Sequence, residues 1–153
     1  IQAIAPKYFN DKERTSALIS LSSLLNLLLP EAQPYKAIYR SYEKLISSLD
    51  LDNWIILYIL FEINLIKELG YGTDLAIFQN STDQLNSIKK INIDGYKYEV
   101  PTFLISQKIP YQLSKPLIKK SLTFTRNILL NKFFLPNNLI FPKSRIIFEN
   151  YFN

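Results

Sequence analysis

The stretch from Asn53 to Leu69, NWIILYILFEINLIKEL, followed by Gly70-Tyr71-Gly72, constrains the fold more than any other part of the chain. Every residue from Trp54 to Phe61 is apolar, and Ile63, Leu65, Ile66 and Leu69 continue the pattern. A helix apolar on nearly all sides has no face for water and belongs in the middle of a bundle. The run is too long for an ordinary buried strand, and Gly70 stands where a left-handed residue ends a helix. Its charge-free part, Asn53 to Phe61, is about half the length that a membrane crossing requires.

The flanking segments supply neighbours for such a helix. Asn10 followed by Glu13 reads as a capping box. Leu18, Leu21, Leu25 and Leu28 then share one face, with Ser16, Ser20 and Ser23 opposite, until Pro30 ends the helix. Pro34 starts a second helix as a first-turn proline. This helix carries Tyr35, Ile38, Tyr39, Tyr42, Leu45, Ile46 and Leu49 at helical spacing. Asp50 or Asp52 is the expected cap of the central helix. Short connections between consecutive helices favour antiparallel neighbours.

After Gly72 the pattern changes. Residues 73–85 are polar and turn-rich, and KKINI-DG-YKYEV follows from Lys89 to Val100. Asp94-Gly95 between two β-prone stretches is a strong hairpin signal. Pro101 to Leu113 has room for one short helix. Ser114 and Pro116 mark entry to a longer helix running from Leu117 to about Phe134. Pro142 starts a last short helix, with Ile146, Ile147, Tyr151 and Phe152 as packing residues. The expected fold is mainly α: one helical domain over 1–153, built as a multi-helix bundle around a buried central helix (53–69). Three helices occupy about 11–69, the loop and a small inserted β-hairpin near 89–100 occupy 73–100, and two or more helices occupy about 114–152.

At 153 residues the chain is long enough to bury a real core. It has no histidine and no cysteine, which removes histidine general-base catalysis, thiol chemistry, disulfides and the usual zinc ligands. With only three glycines it has no glycine-rich phosphate loop. No catalytic constellation is visible, and the expectation is a non-enzymatic protein without metal or cofactor. The chain contains no Met, so Ile1 is expected to be internal to a longer translation product. Its opening has no signal-peptide layout, and cytoplasm is the default location.

Charge is uneven. Residues 1–50 carry a net +1, residues 51–100 a net −3 and residues 101–153 a net +7. A basic final third suits a polyanionic or acidic partner. In the helix from Leu117, Lys119, Lys120, Thr123, Arg126, Asn127 and Asn131 form one polar stripe without a carboxylate. Lys120 to Asn131 spans about 16 Å, enough to touch several phosphates. The stripe reads either as a solvated helix face or as a nucleic-acid contact. A third reading combines these cations with Phe124, Phe133, Phe134, Phe141 and Phe148 as an apolar pocket with a basic rim, suited to an acidic peptide ending in an aromatic residue. Against it, phenylalanines at helical spacing are usually core. Glu62 shares a face with Tyr58, Ile59, Ile66 and Leu69 and is expected to be buried. It then needs a salt bridge to Arg40 or Arg126, or hydrogen bonds from a neighbouring loop. Asp74 suits a turn cap better than a metal.

Two segments, LLNLLLPEAQPYKAIYRSYEKLISSL (Leu24–Leu49) and YILFEINLIKELGYGTDL (Tyr58–Leu75), resemble the C-terminal helical domain of the RecO family of DNA repair proteins. That domain has a leucine-rich helix ending in LPE, a proline and a second helix, then a helix closing on ELG-[FY]-G-x-DL. Phe61, Glu62, Leu65, Ile66, Glu68, Leu69, Gly70, Tyr71, Gly72, Asp74 and Leu75 stand in that last pattern. TRNILLNKFFLPNNLIFPKSRIIF (Thr125–Phe148) is more loosely similar to the family's closing helices, with Lys143-Ser144-Arg145 in a Lys/Ala-Ser/Ala-Arg element.

Three departures qualify the resemblance. The four zinc-binding cysteines of some relatives are missing, and the family's hairpin sequence is replaced. The oligonucleotide-binding β-barrel that opens RecO proteins is also absent from these residues. The resemblance implies a mediator that binds single- and double-stranded DNA, takes the acidic C-terminal tail of single-strand binding protein, and acts with RecR in loading RecA. On that basis Lys119, Lys120, Arg126 and Lys132, then Lys143 and Arg145, are the expected DNA or acidic-tail residues, with Glu62 structural. The alternative is a helical protein–protein adaptor without direct nucleic-acid binding.

Overall fold

The central helix forms, and the rest of the fold wraps around it. A computed structural model of the chain describes residues 11–29, 35–70, 74–81, 84 and 86–153. Helix α1 spans Lys12–Leu28, α2 Lys36–Ser47 and α3 Trp54–Glu68, and a 3-10 turn covers Leu75–Phe78. Strands β1 (Ile88–Ile93) and β2 (Tyr96–Pro101) form an antiparallel hairpin. Helices α4 (Thr102–Ser106), α5 (Lys115–Leu129) and α6 (Lys143–Asn150) complete the chain, with a π-turn at Leu130–Phe134. The fold is therefore mainly helical with one small hairpin, as the sequence predicts. No helix among the described residues is long and apolar enough to cross a membrane.

Helix α3 has core on most sides: Trp54, Ile55, Ile56, Tyr58, Ile59, Phe61, Leu65 and Ile66 are all buried. Gly70 adopts φ +87° just beyond it, the left-handed conformation expected at that position. At its start the cap is Asn53, without a side-chain hydrogen bond, rather than Asp50 or Asp52. Arg14 of α1 organises this junction instead. It hydrogen-bonds the carbonyl of Leu49 and that of Leu51 (3.3 Å), and its guanidinium lies 5.1 Å from the centre of the Trp54 ring.

Several local expectations change. Asp11 caps α1, accepting from the Arg14 N–H at 3.0 Å. The proposed capping residue Asn10 lies outside the described residues, as do Pro30, Pro34, Tyr71 and Gly72. Ser20, placed on the outer face by periodicity, is buried because its hydroxyl meets Tyr58 at 2.9 Å. Leu24 lies deeper than Leu25. Tyr39 is not a packing residue of α2 but 54% exposed, and Ile147 of α6 is likewise outside at 56%, its place in the core taken by Phe148. The helix expected to reach Phe134 gives way at Leu129 to a π-turn, where the Leu135 N–H reaches the Leu130 carbonyl at 2.9 Å.

The hairpin follows its turn chemistry. Asp94 and Gly95 both take positive φ, +51° and +87°, as a type I′ turn requires. Ile93 pairs with Tyr96 and Ile91 with Tyr98. Ile91, Ile93, Tyr98 and Val100 are buried on the inner face, where Tyr98 meets Phe124 of α5 edge-on at 5.8 Å. The polar segment before it holds the 3-10 turn, capped by Asp74 through the Ala76 N–H at 3.0 Å. Of the phenylalanines proposed as a pocket, Phe124, Phe134 and Phe148 are buried in the core. Phe133 and Phe141 are half-buried beside it.

Candidate binding surfaces

Glu62 and Arg145 lie at the junction of four helices, and both are fully buried. The Arg145 Nε donates to Glu62 Oε2 at 2.6 Å, and Nη2 donates to Oε1 at 2.9 Å. Tyr58 adds a hydrogen bond at 2.9 Å and Thr125 another at 2.6 Å. Arg145 also donates to the Leu122 carbonyl at 3.0 Å and to Glu149 at 3.1 Å. The network thus runs from Ser20 in α1 through Tyr58 and Glu62 in α3 to Thr125 in α5 and Arg145 in α6. Among the described residues, no buried side-chain nitrogen or oxygen lacks a partner. A buried ion pair needs this kind of saturation to be tolerated.

Protonation states follow from the packing. Burial acts to lower the Arg145 pKa, but the charge and hydrogen bonds of Glu62, with the charge of Glu149, outweigh it and hold the guanidinium above its ordinary value. Burial and the Glu62 charge push the Tyr58 phenol well above its ordinary range, so it stays a donor. Burial favours the neutral form of Glu149, yet Arg145, Lys119 and Arg126 together lower its pKa.

Arg145 is therefore withdrawn from the expected DNA or acidic-tail set. A phosphate cannot reach a fully buried guanidinium whose donors face Glu62, Glu149, Thr125 and the Leu122 carbonyl. It is the partner that Glu62 required, in place of Arg40, Arg126 or a loop. Lys119, Lys120 and Arg126 of α5 and Lys132 of the π-turn are present at the surface but not bare. Lys119 and Arg126 each reach Glu149 at 3.0 Å, Lys120 reaches Glu99 at 2.8 Å, and Lys132 pairs with Asp94. Asn131 donates to the Tyr98 hydroxyl at 3.0 Å. The stripe lacks a carboxylate in sequence because α6 and the hairpin supply the carboxylates in space. Lys143 is exposed and has no ion-pair partner among the described residues.

A feature that the sequence reading missed lies between α3, α4 and α5. A groove of about 750 Å³ has Leu60, Ile63, Phe103, Leu104, Phe124 and Ile128 along its apolar wall, with Lys67, Lys108, Asn64, Gln107 and Asp74 as its polar lining. Gln107 ends α4 in a left-handed conformation, φ +58°, just before Lys108. An apolar groove bearing two lysines is the chemistry that was placed on the phenylalanines further along, but in a different location. Phe124 is the one residue common to both. Nothing in the sequence brings Lys67, Lys108 and Phe124 together, since three separate elements carry them. Among the described residues no group of carboxylates could hold a metal ion.

The family model for the recombination protein O C-terminal region matches residues 10–77. The DNA repair protein RecO of Rhodospirillum centenum is 33% identical over 75 residues, covering 49% of this chain and 30% of that protein. The RecO protein of Ruegeria is 36% identical over 62 residues, covering 40% and 26%. That of Ehrlichia chaffeensis is 26% identical over 155 residues, covering 90% of this chain and 64% of the relative. The chain thus spans less than a third of the first of these relatives and under two thirds of the last. No solved structure gives a significant match. The matched residues hold α1, α2, α3 and the start of the 3-10 turn, and over them the chain is similar to the C-terminal helical domain of the RecO family.

Proposed function

We propose that this chain is the helical part of a DNA repair and recombination mediator of the RecO type, acting by binding rather than by catalysis. It binds single- and double-stranded DNA through basic surface and takes the acidic tail of single-strand binding protein. It works with RecR in placing RecA on coated DNA. The family match over α1–α3 carries this reading. The groove between α3, α4 and α5 supports the peptide half: its apolar wall suits an aromatic terminus, and Lys67 and Lys108 suit the acids and the free carboxylate beside it. Lys143, Lys119, Lys120, Arg126 and Lys132 remain the α5–α6 candidates for phosphate.

Fluorescence anisotropy with a labelled acidic, phenylalanine-terminated peptide tests the groove. Lys67→Glu with Lys108→Glu is expected to weaken the peptide about tenfold or more, in keeping with loss of two charge-assisted contacts. Unchanged affinity in that variant would remove the groove. The ion pairing of the α5 cations favours a second reading, a helical adaptor that meets only proteins. The salt dependence of oligonucleotide binding separates the two, because neutralised phosphates give a steep negative log–log slope. A slope near zero, or no binding at low salt, would leave the adaptor.

A further inference from the structure

We infer that the solvent face of α2 is a contact surface for single-stranded DNA, with Lys36, Arg40 and Lys44 on phosphates and Tyr39 as a stacking platform for a base. The inference rests on the DNA-binding reading above and names a site for it on an element that the basic final third does not include.

The orientation of α2 is fixed. Ile38 and Leu45 are buried, and Ser41 accepts a hydrogen bond from Asn64 of α3 at 2.8 Å. With that side turned inward, Lys36, Arg40 and Lys44 are all exposed, and Tyr39 is 54% exposed beside them. The three cations recur every four residues, so they stand in a row with a rise of about 6 Å per step. That step is comparable to the distance between neighbouring phosphates on an extended strand. None of the three has an ion-pair partner among the described residues, in contrast to Lys119, Lys120, Arg126 and Lys132 with their Glu149, Glu99 and Asp94.

The row does nothing for the helix that carries it. Like charges four residues apart destabilise a helix, and a lysine in the first turn opposes the helix dipole. Glu43, the one acid of α2, closes no salt bridge with them. An exposed tyrosine flanked by cations without an ion pair among the described residues is the pairing that single-strand surfaces use, stacking with the ring and neutralising with the cations. An acidic protein surface would also satisfy the charges, and the polyglutamate titration below separates it from DNA.

Anisotropy with fluorescein-labelled oligothymidine, titrated across salt concentrations, is the test. Wild type is expected to bind with a steep slope. Lys36→Gln, Arg40→Gln and Lys44→Gln together should reduce the magnitude of that slope by about 2 and the affinity at 0.1 M salt on the order of a hundredfold. Tyr39→Ala should cost roughly tenfold without changing the slope. All four side chains are exposed, so the melting temperature should hold, and circular dichroism checks it. If wild type binds steeply and the triple variant matches it, α2 is not the site, and the DNA reading survives elsewhere. If wild type fails to bind at low salt, both fall. If wild type binds polyglutamate instead of DNA, and the triple variant loses it, the surface belongs to an acidic protein and the nucleic-acid assignment is overturned.

Discussion

Glu62 and Arg145 show why a charge in the core is a question about partners. Each is fully buried, and every side-chain nitrogen and oxygen of the two has a partner in the other or in Tyr58, Thr125, Glu149 and the Leu122 carbonyl. Removing one member leaves the other charged and dry. Glu62→Ala is expected to cost about 3–5 kcal/mol in urea unfolding. Replacing both, with Glu62→Leu and Arg145→Met, should recover much of that loss, since an apolar pair fills the same space without an orphan charge. A double variant no more stable than Glu62→Ala would show that the pair itself contributes most of the stability. Glu149 makes a prediction with pH. Its pKa in the folded protein is below the ordinary 4.5, so its contribution is fully present above pH about 4.5 and is lost as pH falls through the lowered value. Glu149→Gln should therefore lower the melting temperature at neutral pH, and the gap from wild type should close below pH about 4.5.

Elements formed where local chemistry and periodicity agreed. The hairpin is one case: Asp94-Gly95 dictates a turn with two positive φ angles, and the alternation of Ile91, Ile93, Tyr98 and Val100 dictates which face is buried. A Cβ at Gly95 would meet no neighbouring atom within 4 Å, so the cost of Gly95→Ala is the left-handed backbone alone. That cost is about 1 kcal/mol, to be seen as faster amide exchange across Lys89–Tyr98 while the helices stay protected. Helix α3 is the other case, legible because an all-apolar segment has one place to go. Helix α5 was half-legible. Its buried side, with Leu122, Phe124, Ile128 and Leu129, follows from spacing, but its polar stripe does not tell which partners it meets. Ser20 and Tyr39 were misplaced for the same reason: periodicity sorts a helix into faces but does not say where the neighbouring helix ends.

At the scale of the whole molecule, α6 closes the bundle. It packs along α1, where the Ser144 and Ser23 hydroxyls meet at 2.9 Å, and brings Arg145, Phe148 and Glu149 to the other helices. Phe148 lies 4.7 Å from the Tyr58 ring and 5.6 Å from that of Phe152. A chain ending at residue 141 loses the cation that neutralises Glu62 together with these two buried rings. It is expected to lose its cooperative thermal transition in calorimetry, even though every residue matched by the family model remains. A truncated chain that still melted sharply would mean that residues 11–141 carry the core unaided. Binding surfaces also belong to this scale. The groove needs α3, α4 and α5 together, whereas the α2 row needs only one helix held at one angle.

The sequence by itself determined the helical class, the central position of α3, the hairpin with its turn, and the burial of Glu62. These follow from hydrophobic period, turn residues and the absence of a wet face, all of which act within one segment. It also carried the RecO resemblance, because the end of α3 and the turn beyond it form a continuous motif. Only the tertiary structure decided which cations are free. Arg145 vanished into the core, and Lys119, Lys120, Arg126 and Lys132 found acids on α6 and the hairpin. Lys36, Arg40 and Lys44 were left without an ion-pair partner among the described residues, on a helix whose orientation Ile38, Ser41 and Leu45 set. The pairs of Lys119, Lys120, Arg126 and Lys132, and that of Arg145 with Glu62, join residues 21 to 83 positions apart, and spacing along a sequence carries no information about such distances.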